Sequence, residues 1–240
     1  MSRIHRIRAE ATAEWRAFTR RRTAVFFTFV FPVIIVALFG AVIGSGTAGG
    51  VFDRPQAYYV PGYLAVVIVL TPLSRVGSTV ARYRSSRRFE KLATTPLTRL
   101  DWLAAHAAVT TVLVGVAALV LLGALSVVAG IDVRYGPGLL FFIVVGTVLH
   151  TALGALIGWI ADSQDGVIAA ANGVGIPLVF LSETFLPPAT LPPVARPLVS
   201  LLPLTYFSRG VRAVTYAGGP IGVDAVVLVG VTGVALGLAA

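Results

Sequence analysis

The 240-residue sequence predicts an all-α integral membrane protein. It should have six transmembrane helices, an N-terminal amphipathic interface helix, and an outer re-entrant helical hairpin between spans five and six. Three observations predict this. The chain is 57% apolar and only 12% charged, with mean hydropathy +0.89, where soluble domains carry about 25% charged residues. Several apolar runs reach the roughly 20 residues that cross a bilayer core. The cations gather beside those runs: seven arginines in residues 1–23, then Arg82, Arg84, Arg87, Arg88, Lys91 and Arg99 in residues 82–102.

Residues 1–23 should form the interface helix, or serve as a plain juxtamembrane anchor. Ile4, Ile7, Ala11, Trp15 and Phe18 fall within an arc of roughly 80° at 3.6 residues per turn, with arginines around most of the remaining circumference. Such a helix lies in the interface plane and dips Trp15 and Phe18 toward lipid. Residues 24–240 make one transmembrane domain, with spans at 24–44, 58–81, 103–129, 138–161, 166–181 and 221–240. The first apolar run exceeds the roughly 7–15 residues of a cleavable signal, so it reads as an uncleaved anchor. Linkers 45–57 and 131–137 hold one cation each, Arg54 and Arg134. The excess of cations on cytoplasmic loops therefore places both termini, and the loop at 82–102, in the cytoplasm.

Inside the spans, Gly40 with Gly44, Gly154 with Gly158, and Gly233 with Gly237 are pairs of small residues that let helices approach. Pro32, Pro72 and Pro177 remove backbone donors and should kink or break their helices. Arg75, near the cytoplasmic end of the second span, can snorkel to the headgroups. Segment 182–214 is too apolar for a solvated loop and too rich in proline for a span. Prolines at 187, 188, 192, 193, 197 and 203 bar a long helix before Pro203, leaving two short helices that dip into the membrane and return, as a lid or gate.

The chemistry these residues exclude is extensive. Cysteine is absent, which removes disulfides and thiolate chemistry. The single lysine, Lys91, lies between Glu90 and Leu92, so no P-loop exists and any nucleotide energy comes from another chain. His5, His106 and His150 are too far apart for a metal site. No Gly-x-Ser-x-Gly elbow occurs, and Ser163 with Asp162 and Asp165 reads as a helix end. The net charge of +9 reflects topology and attraction to anionic lipid headgroups, with no nucleic acid implied. His150, deep in a span, is an interhelical hydrogen-bonding group or part of a pathway. Asn172 and Glu183 are the other polar candidates for a pathway, Glu183 facing a cavity or solvent at the outer boundary.

Two segments resemble the permease subunits of type-2 ATP-binding-cassette (ABC) exporters. Residues 89–106, FEKLATTPLTRLDWLAAH, are similar to that family's Glu-x-Leu-x-x-Thr-Pro signature, matched by Glu90, Leu92, Thr95 and Pro96. Residues 185–212 are similar to its outer re-entrant region through Pro187, Pro192, Pro203, Leu204, Thr205, Tyr206 and Arg212. Many relatives have Gly-Thr just before the first element, where this chain has Ser86-Arg87-Arg88-Phe89. Many also have Ser-Gly where it has Ser182-Glu183.

The resemblance implies a permease in the cell membrane of a prokaryote. It would work with a P-loop ATPase subunit that binds ATP and Mg, so no cofactor is expected on this chain. It also implies a second copy or homologous permease, the pathway lying between the two. A coupling helix around 84–94 would dock in the ATPase, with Arg87, Arg88 and Glu90 giving orientation and Phe89 and Leu92 apolar anchorage. Thr95-Pro96 ends that helix, and Thr98 with Asp101 caps the third span. His150, Asn172, Glu183, Pro203, Thr205, Tyr206 and Arg212 are the pathway or gate candidates. An amphipathic or hydrophobic cargo suits the apolar spans. An intramembrane enzyme using His150 with Ser or Asp groups, and a non-transporting scaffold or assembly subunit, are the alternatives.

Overall fold

The computed structural model of the chain describes residues 2–44, 54–128, 130–187 and 192–239, and among them every regular element is helical. Helix α1 is Arg3–Thr19 and α2 is Arg22–Gly44; a 3-10 turn, Gln56–Tyr59, leads into α3, Val60–Ser85. The short α4, Arg88–Leu92, precedes α5, Arg99–Val128, α6, Pro137–Ile160, and α7, Gln164–Leu181. Two short helices follow, α8 at Ala195–Leu201 and α9 at Pro203–Arg212, then a π-helical turn, Ala213–Ala217, and α10, Gly222–Ala239.

Five of these are long and apolar enough to cross a membrane: Gln56–Ser85, α5, α6, α7 and α10. The chain is thus a multi-pass membrane protein. The first expected span falls on α2, 23 residues long, whose side chains at 35, 36 and 39–44 lie outside the described residues. The Gly40–Gly44 pair falls there too, and Pro188 lies in the undescribed 188–191. Pro32, Pro72 and Pro177 break none of their helices; α2, α3 and α7 run on through them. Proline does decide one boundary. Leu202, before Pro203, is extended (φ −76°, ψ 125°), which separates α8 from α9 as the clash of a proline ring with its predecessor requires.

The centre of the bundle is the contact of α3 with α6, with α7 packed on α3, α10 on α6, and α5 beside both central helices. Helix α2 lies on α5. Small residues set the central contact. A Cβ on Gly158 would stand 2.4 Å from the Gly77 carbonyl oxygen, and one on Gly77 would stand 2.7 Å from that of Gly154. A Cβ on Gly154 would meet the Pro72 oxygen at 2.8 Å. Backbone therefore touches backbone, as lipid-embedded helices need when no hydrophobic effect drives them together. The pair at Gly154 and Gly158 is a packing motif; the pair at Gly233 and Gly237 meets nothing among the described residues.

Helix α1 does not present its whole apolar stripe to lipid. Phe18 is buried against Phe29, Val109 and Leu113, whereas Ile4 and Trp15 stay exposed. The face turned inward is Arg6, Ile7, Glu10, Ala11, Glu14 and Phe18, rotated roughly 60° from the apolar arc toward the two glutamates. Charge explains the rotation. Glu14 Oε1 accepts from Arg75 at 2.6 Å, and Arg3 and Arg6 hold the two oxygens of Asp101 at 2.8 and 2.9 Å. Arg75 therefore does not snorkel; its guanidinium lies 4.8 Å over the Phe18 ring, paired with Glu14.

Substituting Gly158→Val should force α3 and α6 apart and cost about 1–3 kcal/mol, as overpacking of a tight core does. Gly233→Val should be neutral, since its Cβ position is open. Thermal unfolding of both variants in detergent measures the contrast, and equal midpoints would refute the α3–α6 contact as the organising one.

Candidate functional site

Two polar assemblies stand at opposite ends of the bundle. The first, at the end rich in cations, is built on the junction of α3, α4 and α5. Helix α3 continues through Arg84 to Ser85, so the helix expected over 84–94 is divided. Arg87 takes a left-handed backbone (φ 52°), and α4 spans only Arg88–Leu92. The Thr95 hydroxyl donates to the Leu92 carbonyl at 2.7 Å and accepts from Leu97 N at 3.4 Å, ending the turn before Pro96. Thr98 and Asp101 then form a reciprocal cap on α5. Asp101 N donates to the Thr98 hydroxyl at 3.1 Å, and Thr98 N donates to Asp101 Oδ2 at 3.4 Å.

The side chains of α4 divide by face. Phe89 stacks on Trp159 of α6 (5.3 Å between centroids, 20°) and meets Trp102 and Tyr83 edge-on or tilted, both at 5.4 Å. Leu92 joins the same cluster. These two residues therefore tie α4 to its own bundle. Exposed on the other side are Arg87, Arg88, Glu90, Lys91, Thr95 and Pro96, with Arg88 leaning on the Tyr83 ring at 5.4 Å. A 270 Å³ pocket opens beside α4 between Phe89, Leu92, Leu97 and Trp102, with Glu90 and Arg99 at its lining. Arg84 donates to the carbonyls of Gly158 and Ala161, both at 3.1 Å, at the end of α6 where carbonyls lack helical partners. The loop is thus bonded directly to α3, α5 and α6.

The second assembly stands at the opposite end. Glu183 is 5% exposed and has a left-handed backbone (φ 56°). Its carboxylate is withdrawn from solvent among the described residues. Arg209 grips its carboxylate with two hydrogen bonds, 2.9 Å from Nε and 2.5 Å from a terminal nitrogen. Arg212 donates to the Glu183 carbonyl at 2.5 Å and lies 4.1 Å over the Tyr58 ring. Thr205 and Tyr206 donate to the carbonyls of Val199 and Ser200 at 2.6 and 2.8 Å, holding α8 to α9, with Pro203 at the first turn of α9. Sequence reasoning missed Arg209. Its spacing three residues before Arg212 was the available signal, since both fall on one helix face.

The two remaining candidates stand apart. His150 is buried in α6 and donates from Nδ1 to the Gly146 carbonyl, four residues earlier, at 2.7 Å. That bond lies within one helix, and Nε2 has no partner. Asn172 is exposed on α7 among Ile168, Val174 and Ile176. Ser163 caps α7 by accepting from Gly166 N at 3.0 Å, which accounts for it without a catalytic role.

Among the described residues only Arg87 and Glu183 combine a side chain with positive φ. Glycine visits that region freely, and another residue there costs about 1–2 kcal/mol. Both lie at the places where the resembling family carries Gly-Thr and Ser-Gly. The ion pair with Arg209 holds Glu183 in this conformation. Arg209→Ala should therefore lower stability by about 1–3 kcal/mol, the cost of leaving a buried acceptor unmatched. Glu183→Gly in the same chain should restore most of it by removing both charge and strain. Thermal midpoints of the single and double variants test this; a double variant no better than Arg209→Ala alone would refute it.

Comparison with known proteins bears on the same segments. No curated protein matches the sequence. The family model described as ABC-2 type transporter matches residues 5–216, which include most of α1, the α4 junction and the Glu183–Arg212 assembly. With nearly all of its length matched, the chain belongs to the ABC-2 type transporter family, as a membrane-embedded permease subunit.

Proposed function

We propose that the chain is the permease of an exporter in a prokaryotic cell membrane, driven by a separate P-loop ATPase that docks on α4 and binds the ATP and Mg. The observation that carries this reading is the division of α4. One face is bonded into three membrane helices through Phe89 and the neighbouring Arg84. The other shows Arg87, Glu90 and Lys91 to solvent. A push on such a face would move α3, α5 and α6 together, because stacked aromatic rings and the Arg84 hydrogen bonds join the loop to all three.

The cation-rich end is cytoplasmic in this reading, with both termini there and α2 as the sixth span. The stretch from Glu183 to Arg212 is the outer gate, re-entering the membrane through α8 and α9. The buried Glu183 carboxylate is tolerated there because Arg209 hydrogen-bonds it. The pathway forms between this permease and a second copy or homologue. The exposed face of α7 supports that arrangement, since Asn172 would otherwise leave an amide in hydrocarbon. His150 has no assigned part in it.

Glu90→Ala should lower ATP hydrolysis coupled to transport by about tenfold, the effect of losing one charge-assisted contact of about 1.4 kcal/mol. Phe89→Pro should do the same by removing the stack on Trp159 and driving Arg88 out of helical geometry, with membrane insertion intact in both. The measurement is hydrolysis by the reconstituted permease–ATPase complex; unchanged coupled turnover in both variants would remove α4 as the docking element.

A further inference from the structure

Helix α3 carries a polar stripe that the bundle leaves uncovered. Thr71, Ser74, Arg75, Ser78 and Arg82 recur at intervals of three and four residues, so they share one face. They line a 510 Å³ cavity closed on its sides by α1, α2 and α7. From Thr71 to Arg82 the stripe rises about 16 Å, roughly half of a ~30 Å hydrocarbon core. A polar stripe this deep needs a polar occupant.

The charge of that occupant follows from the lining. Three guanidinium groups, Arg21, Arg75 and Arg82, face the cavity against one carboxylate, Glu14. Glu14 is committed to Arg75, and one terminal nitrogen of Arg75 is buried without a hydrogen-bond partner. No described carboxylate forms an ion pair with Arg21 or Arg82. Water alone would leave these cations repelling one another. Ser74, Ser78 and Thr28 add hydroxyl donors around the same space. Guanidinium forks together with hydroxyl donors match a phosphate, whose several oxygens accept at once.

A second cavity continues the first. It measures 250 Å³, shares Phe27 and Thr71 with the lower one, and is otherwise bounded by side chains such as Phe31, Val66, Leu70 and Phe180. The groove between α2 and α7 is therefore cationic in its lower half and apolar in its upper half. A second copy of the chain would bring the exposed faces of α2 and α7, whose only carboxylate is Asp165 in the first turn of α7. That charge pattern does not answer three arginines.

We infer that this groove is the cargo site, and that it takes an amphiphile with a phosphate headgroup, the phosphate among Arg21, Arg75 and Arg82 and the acyl chain along Phe27 toward Phe180. The inference rests on the permease reading above and names the class of its substrate.

The test uses the full chain in phosphatidylcholine nanodiscs, titrated with dioctanoyl phosphatidic acid, dioctanoylglycerol and inorganic phosphate. The phosphatidic acid should bind at least about tenfold tighter than either other probe, and Arg21→Gln should remove about tenfold, as loss of one charge-assisted bond does. Arg21 is exposed and makes no described ion pair, so this variant should fold; Ser78→Leu, which fills the cavity, is the independent check. Equal binding of phosphatidic acid and dioctanoylglycerol, or an unchanged Arg21→Gln, overturns the headgroup site. Inorganic phosphate binding as tightly as the lipid overturns the amphiphile in favour of a free anion. In the complex with its ATPase, phosphatidic acid should stimulate hydrolysis. Binding at the arginines without stimulation identifies a resident lipid and overturns the cargo assignment. Failure of the complex to couple hydrolysis to any membrane component counts instead against the permease–ATPase reading and leaves the binding result to stand by itself.

Discussion

The backbone contact of α3 with α6 at Gly77, Gly154 and Gly158 is the constraint on which the rest of the structure depends. At that separation the two helices behave as one rigid unit, since backbone rests directly on backbone at these glycines. The unit ends near Arg84 and the last carbonyls of α6 at one extremity, and near Tyr58 and α9 at the other. Both polar assemblies are therefore fastened to the same pair of helices. In the proposed coupling, a displacement of α4 would reach the Glu183 assembly through two helices in direct contact.

The N-terminal helix acts as a strap across the cation-rich end. Asp101 receives Arg3 and Arg6 from α1 while its other bonds cap α5, so one buried carboxylate fixes where two helices begin. Further along, Glu14 meets Arg75 in α3 and Glu10 lies 3.4 Å from His106 in α5. The strap is thus read by charge at Asp101 and Glu14, by the Glu10–His106 contact, and by the buried Phe18. Its placement also creates the cavity beside α3, because α1 covers that helix from one side and α2 and α7 flank it without closing over it.

Much of the site was legible in sequence, for local reasons. The cap of Thr98 on Asp101, the turn ended by Thr95 before Pro96, and the break between α8 and α9 at Pro203 depend on neighbours within four residues. The length of α4 was not legible, because the left-handed turn at Arg87 occupies a place where no local signal favours it. The inward turn of Phe89 was hidden for another reason: the aromatic group that receives it comes from Tyr83, Trp102 and Trp159, on three different helices.

By itself the sequence determined the class of the molecule and the order of its elements. Apolar runs of membrane length, proline positions and cation clusters act along the chain and need no partner to be read. Only the tertiary structure decided which small-residue pair packs, since Gly154–Gly158 and Gly233–Gly237 look alike until a facing helix is present for one and absent for the other. It also decided the partners of the buried charges. Arg75 chose Glu14, and Glu183 chose Arg209, because a charge withdrawn from water must find its complement wherever the fold brings one within reach.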